Sequence, residues 1–310
     1  MEGPVALRVP AEILLEIIAY FHNPNLSYER CFTAPSDKIL CGRFEVLHAL
    51  SQTCRYFRRV FLFLAWEYTE LVGRDRATAN VLTRRMTGIL KTPSVWRWIR
   101  TVIVSLVFSP QDSWTLPTVF VRVLAATSHL TCLRIIAISE SHGSALTEVL
   151  QTRSFPSVQI LAIPSSLARS LSSFPNIHSL SCADNLVSDY HSIALLKASS
   201  KHCHSLEALM NLTPSLSVIK CLLKSHPLIK TLGFRHILTS DMLKLLGDLQ
   251  NLHSLKFPCR YQKNWDNTTI TATLEAIFAC SLERKSIQVE YSAAEADVGD
   301  VVVTVSTSAA

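Results

Sequence analysis

Apolar positions in the first sixty or so residues repeat at helical spacing. Ile13, Leu14, Ile17, Ile18 and Phe21 share one face of a 3.6-residue helix, with Glu12 and Glu16 on the other side. Pro10 suits the first helical position, where its missing N–H breaks no bond. A second stripe joins Leu47, Leu50, Cys54, Phe57, Phe61 and Leu64, leaving Ser51, Gln52 and Arg58 off it. Between the stripes, residues 22–45 carry the Asn, Pro, Ser and Asp of an irregular segment. Two or three short helices cannot enclose so much apolar surface alone. Part of it must rest on the remaining chain or on a partner.

From about residue 95 the pattern changes to short phrases of the form apolar-x-x-apolar-x-apolar. They are WIRTVIV (98–104), CLRIIAI (132–138), SVQILAI (157–163), NIHSLSC (176–182), SLEALMN (205–211), LIKTLGF (228–234) and NLHSLKF (251–257), with a weaker SIQVEY (286–291). Each alternates with period two and has strand length. The aligned apolar position is read as Val102, Ile136, Leu161, Leu180, Leu209, Leu232 and Leu255. Between phrases, residues 188–202, 214–226, 240–249 and 271–282 space their apolar side chains as helices do. Pro214 fits a helix start, and Ser240 and Asp241 offer capping oxygens.

Strand and helix alternating about every 25 residues predict an α/β fold in which strands pair in parallel and helices cover one side. The phrase is similar to the L-x-x-L-x-L part of the leucine-rich repeat, while the Asn or Cys that normally follows is mostly absent. That departure implies an irregular solenoid. A doubly wound α/β sheet gives the same alternation and stays open as an alternative. The expected organisation is a helical module over 1–70 with its insert at 22–45, a helical linker over 71–95, a repeat domain over 96–292 and a tail over 293–310. The tail is expected either to be disordered or to add a last edge strand through Val301–Val305.

The N-terminal order of residues resembles the F-box, the helical module that docks on a Skp-family adaptor of cullin–RING ubiquitin ligases. The resemblance is carried by Val9, Pro10, Glu12, Ile13, Leu14, Ile17 and Ile18, then by Leu47, Leu50, Ser51, Cys54, Arg55, Phe57, Arg58 and Arg59. Val9 replaces the family's opening Leu, and the 22–45 insert is longer than the family's turn. The resemblance implies that Pro10, Ile13, Leu14, Ile17, Ile18, Leu50, Cys54 and Phe57 meet the adaptor. An F-box followed by degenerate leucine-rich repeats implies a substrate-recognition subunit, with the adaptor, a cullin beyond it and a protein target as partners. Arg134, Gln159, His178, Glu207, Lys230 and His253 occupy variable positions of the phrases and are the candidate target contacts. The alternative is a repeat scaffold without a ligase role, whose first helices cap the solenoid.

Composition narrows the chemistry. The chain has 310 residues, 48% hydrophobic and 17% charged, which describes a protein with a large core. Nine cysteines, an odd number without a regular frame, fit reduced thiols in the cytosol or nucleus. No signal peptide is expected, and the apolar runs are too short to cross a bilayer. The net charge of +6 is uneven: residues 71–135 hold nine Arg or Lys against Asp75 and Asp112. No aromatic stacking pattern accompanies them, so nucleic acid is not expected as a partner. Only eight glycines occur, never two within seven positions, which excludes a P-loop, a dinucleotide fingerprint and a G-x-S-x-G elbow. His202, Cys203 and His204, with Cys182 and Cys221 nearby in the repeats, are too crowded for tetrahedral zinc. Asp184 and Asp189 read as turn and cap residues. The expectation is therefore no enzyme, no cofactor and no metal.

Overall fold

The computed structural model describes residues 10, 12–14, 16, 46–73, 76–107, 115–184, 188–236, 238–249, 251–257, 285–292 and 300–307. Its frame is one ten-stranded sheet, most of it parallel. The strands are β1 (Tyr68–Gly73), β2 (Thr101–Leu106), β3 (Cys132–Ile138), β4 (Ile160–Ile163), β5 (Ser179–Cys182), β6 (Ala208–Leu212), β7 (Thr231–Phe234), β8 (Ser254–Phe257), β9 (Lys285–Ser292) and β10 (Asp300–Thr307). The first eight pair in chain order, all in parallel. The order never reverses, whereas a doubly wound sheet reverses at a switch point.

The register explains the repeated Leu. Val102, Leu133, Leu161, Leu180, Leu209, Leu232 and Leu255 stand opposite one another across seven adjacent strands. Each is fully buried. One expectation is corrected here: Leu133, not Ile136, occupies the row in β3. The run Ile135-Ile136-Ala137-Ile138 is apolar throughout, so the phrase fits it in two registers, and only pairing with β2 and β4 selects one.

Helices cover the Leu side. They are α1 (Arg55–Glu67), α2 (Arg76–Lys91), α3 (Pro93–Trp96), α4 (Leu116–Ala126), α5 (Glu140–Gln151), a 3-10 helix (Ser165–Ser173), α6 (Asp189–His202), α7 (Leu216–Ser225) and α8 (Ser240–Leu246). From α2 and α4 onward each helix touches the next, so they form one layer on one side. Met86, Phe120, Leu146, Leu171, Leu195, Leu222 and Leu243 from this layer share a single buried core with the Leu row. Residues one position further along each strand face the other way: Ile103, Arg134, Ala162, Ser181 and Met210. This opposite face is also closely packed, because all five are buried.

Local chemistry sets the helix starts. The Ser215 hydroxyl accepts from the Val218 N–H and caps α7. At α8 the cap position is Thr239, and Ser240 and Asp241 lie inside the first turn. There Asp241 pairs with Lys244 at 3.6 Å.

Three further expectations are revised. β1 crosses the boundary drawn between the helical module (1–70) and the linker (71–95), and its Thr69 and Leu71 align with Val102 and Val104 of β2 and are buried with them. SIQVEY is a strand, but β9 is antiparallel to β10. The tail strand β10 lies inside the sheet, antiparallel to both β8 and β9, and β9 forms the edge. Alternation of side chains specifies a strand and its faces but not the direction of its neighbour.

Candidate functional site

The N-terminal helices build a small apolar cluster of their own. Residues 46–53 are helical, and Cys54 ends them and begins α1. Its sulfur accepts from the Phe57 N–H at 3.4 Å, so this thiol is an N-cap. Leu47, Val60, Phe61 and Ala65 form the buried centre, and Leu14, Leu50, Tyr56, Phe57 and Leu64 pack around it. This cluster is separate from the core beneath the sheet, which Trp66 alone among the residues of α1 joins.

Of the residues expected to meet an adaptor, Pro10 and Ile13 are exposed, Ile13 to 47%. Leu14, Leu50, Cys54 and Phe57 are half-buried. Ile17 and Ile18 lie outside the described residues. Phe63 adds 39% exposure on α1. Isolated exposed apolar side chains are ordinary, but Ile13, Phe57 and Phe63 belong to one small module with little core beneath it.

The candidate target contacts sort into two groups. Gln159, His178, Glu207, Lys230 and His253 are exposed and occupy equivalent positions at the entry ends of β4 to β8. Each carbonyl in this row accepts from the next unit: His178 N–H to Gln159, Glu207 N–H to His178, Lys230 N–H to Glu207 and His253 N–H to Lys230. Arg100 and Thr131 extend the row through the same bonds. Lys230 Nζ donates to Glu207 Oε1 at 2.6 Å, and this ammonium holds the Glu207 carboxyl below its usual range. Arg134 is the exception. It is buried at 4% exposure on the opposite face of the sheet. The three-residue slip in reading β3 put it in the row; Thr131 belongs there.

A second constellation lies at the exit ends of β4 to β7, where open α/β sheets often bind ligands. Asp184 Oδ2 accepts from the Ser165 N–H at 2.7 Å and from the Cys182 thiol at 3.2 Å. Ser165 Oγ lies 2.6 Å from His191 Nδ1, and Asp184 Oδ1 lies 3.8 Å from the same nitrogen. A serine nucleophile needs its base at one ring nitrogen and the orienting carboxylate at the other. Here both meet Nδ1, so no relay exists. Asn211, at φ 65°, donates to the Cys182 carbonyl at 2.7 Å. Arg235 reaches that carbonyl at 3.0 Å and the Asn211 carbonyl at 3.1 Å. The network ties the exit ends of β5, β6 and β7 together, with Arg235 reaching past β6 to β5. Asp189, read as a cap, is instead the first residue of α6, whose cap position is Ser188; it accepts from Ser217 and links α6 to α7.

Two buried thiols are poorly suited to chemistry. Burial pushes Cys182 up to about 12, with the Asp184 charge adding to the effect. Burial alone pushes Cys203 to about 12. Thiolate, the reactive form, is therefore scarce at neutral pH. Cys203 packs inward, while His204 is exposed and His202 half-buried. Among the described residues, no group of three or more His, Cys, Asp or Glu is placed to hold a metal ion. No described helix is long and apolar enough to cross a membrane. Compared with known proteins, the chain matches no family model, and it matches no curated protein.

Proposed function

We propose that this protein is the substrate-recognition subunit of a Skp–cullin–F-box ubiquitin ligase. Its N-terminal helices dock on the Skp-family adaptor, and its strand-and-helix part, a leucine-rich-repeat-like arc, holds a protein target. The subunit performs no bond chemistry; it raises the effective concentration of target near the transferring enzyme. The observation that carries this reading is the separate cluster around Phe61, with Ile13 left exposed at 47%. A helical pair serving only to cap the sheet would spend that surface on the first strand unit. The sequential parallel order of β1 to β8 adds support, because stacked repeats pair each strand with the next.

The rival reading is an interaction scaffold whose first helices act as a cap. It draws on Trp66, which packs from α1 against the main core. Co-purification with a recombinant Skp-family adaptor separates the two. Ile13→Asp should leave the melting temperature of the free chain nearly unchanged, since exposed substitutions usually stay within about 0.5 kcal/mol. It should abolish adaptor capture, because a carboxylate buried without a partner costs several kcal/mol. Undiminished capture by this variant, or no capture by the wild type, refutes the ligase reading.

A further inference from the structure

The two ends of the parallel strands carry opposite charge. Helices run back against the strands, so helix ends and strand starts share one edge. At that edge lie Lys91, Arg97, Arg100, Arg153, Lys201 and Lys230, against Glu67, Glu207 and Asp248. The other edge holds Glu140, Asp184, Asp189 and Asp241 against Arg76 and Arg235 among the described residues. Helix dipoles favour cations at helix C-termini, but only within the last turn. Lys91 and Lys201 lie there, and Arg97 is the C-cap of the four-residue α3; Arg100, Arg153 and Lys230 lie beyond helix ends, so the dipole does not account for them.

The cations border the exposed polar row that runs from Arg100 through Gln159, His178 and Lys230 to His253. Adjacent strands stand about 4.8 Å apart, so the six steps of this row span about 29 Å. An extended peptide of about ten residues matches that length. Glu207, set in the middle of the row and paired to Lys230, breaks the single sign a nucleic-acid backbone would need. Trp98, the aromatic nearest Arg100 in sequence, is half-buried with the Arg97 guanidinium 5.2 Å from its ring centre, leaving no stacking platform beside Arg100. Charge complementarity with a few gaps suits an acidic protein segment.

We propose that this edge, from Arg97 to His253, binds an extended acidic segment of another protein. The proposal rests on the reading that the strand-and-helix part holds a protein target, and it names the chemistry of that target. The test uses the full chain and a fluorescein-labelled decapeptide in which Glu alternates with Ser, followed by fluorescence anisotropy at low salt. Wild type should bind, and rising salt should weaken binding. Arg97→Glu combined with Arg100→Glu should raise the Kd about tenfold or more. Arg84→Glu combined with Arg122→Glu makes the same charge change on exposed helix faces and should leave Kd nearly unaltered. Circular dichroism confirms that both variants remain folded. Failure of wild type to bind, or equal weakening by both pairs, overturns the proposal. Equal or tighter binding of an oligothymidylate of the same charge overturns it in favour of nucleic acid. Adaptor capture by the wild type is read separately: its absence sinks the ligase reading, not the acidic-segment one.

Discussion

Gly233 and Met210 are locked together across β6 and β7, and the lock predicts a mutation whose sign depends on its background. A Cβ built on Gly233 would stand 2.7 Å from Met210 Cε and 2.9 Å from its sulfur. That is about 0.8 Å inside the ~3.5 Å at which carbon atoms ordinarily meet. Gly233 has no positive φ, so its backbone accepts alanine without strain. The obstacle is the end of the Met210 side chain, which is buried at 5% exposure and must leave its place. Gly233→Ala should therefore cost about 1–2 kcal/mol, as overpacking does. Met210→Ala alone should cost about 2–3 kcal/mol through the cavity it leaves. With Met210 truncated the clash is gone, and Gly233→Ala should then stabilise by about 0.5–1 kcal/mol, the usual gain from removing a strand glycine. The coupling across the cycle is about 2 kcal/mol. Urea unfolding of the four proteins, followed by circular dichroism, measures it. Gly233→Ala having the same sign in both backgrounds, or strictly additive effects, would refute the packing argument.

Two further outcomes follow from polar side chains that bond within the fold. His226 is buried between α6 and α7, with Nε2 2.9 Å from Ser199 Oγ and 3.2 Å from the Leu196 carbonyl. Burial lowers its pKa from the usual 6.5, so below that pH the unfolded chain takes up a proton that the folded chain refuses. Stability should fall as the pH drops below 6.5, and His226→Gln should reduce this dependence in urea midpoints compared between acid and neutral pH; an unchanged slope would mean that another group governs it. Asn211 holds φ 65° and bonds the Cys182 carbonyl, so both Asn211→Gly and Asn211→Ala lose a hydrogen bond. Only Ala adds left-handed strain, and it should melt lower by about 1 kcal/mol equivalent; identical melts would show that the backbone relaxes.

Much of the strand layout is legible because burying one face of a parallel sheet requires an apolar residue at a fixed place in every strand. Leu161, Leu180, Leu209, Leu232 and Leu255 announce that place without ambiguity. Cys132–Ile138 does not, since an apolar run fits the phrase twice, and the error carried Arg134 from a buried face to a supposed contact surface. β1 is hidden for the opposite reason: Thr69 fills a position that Leu fills elsewhere. The antiparallel placement of β10 depends on which neighbour offers free backbone groups, a property of the assembled sheet. The row from Arg100 to His253 is readable as polar positions beside each phrase, whereas its place at one charged edge depends on every helix running back along its strand.

The line-up of β1 to β8 in chain order also decides how damage spreads. Units that touch mainly their immediate predecessors and successors leave few shortcuts through the molecule, the Arg235 bond to the Cys182 carbonyl being one, so fraying begun at β1 must pass most interfaces in turn before reaching β8. At the far end the rule is broken. β8 leans on β10, a strand beginning 43 residues after Phe257, so its outer hydrogen-bonding groups wait bare until that late segment arrives. A ribosome-bound or truncated chain lacking residues 285–307 would therefore present an unclasped border, the natural place for a chaperone to act or a stray strand to attach.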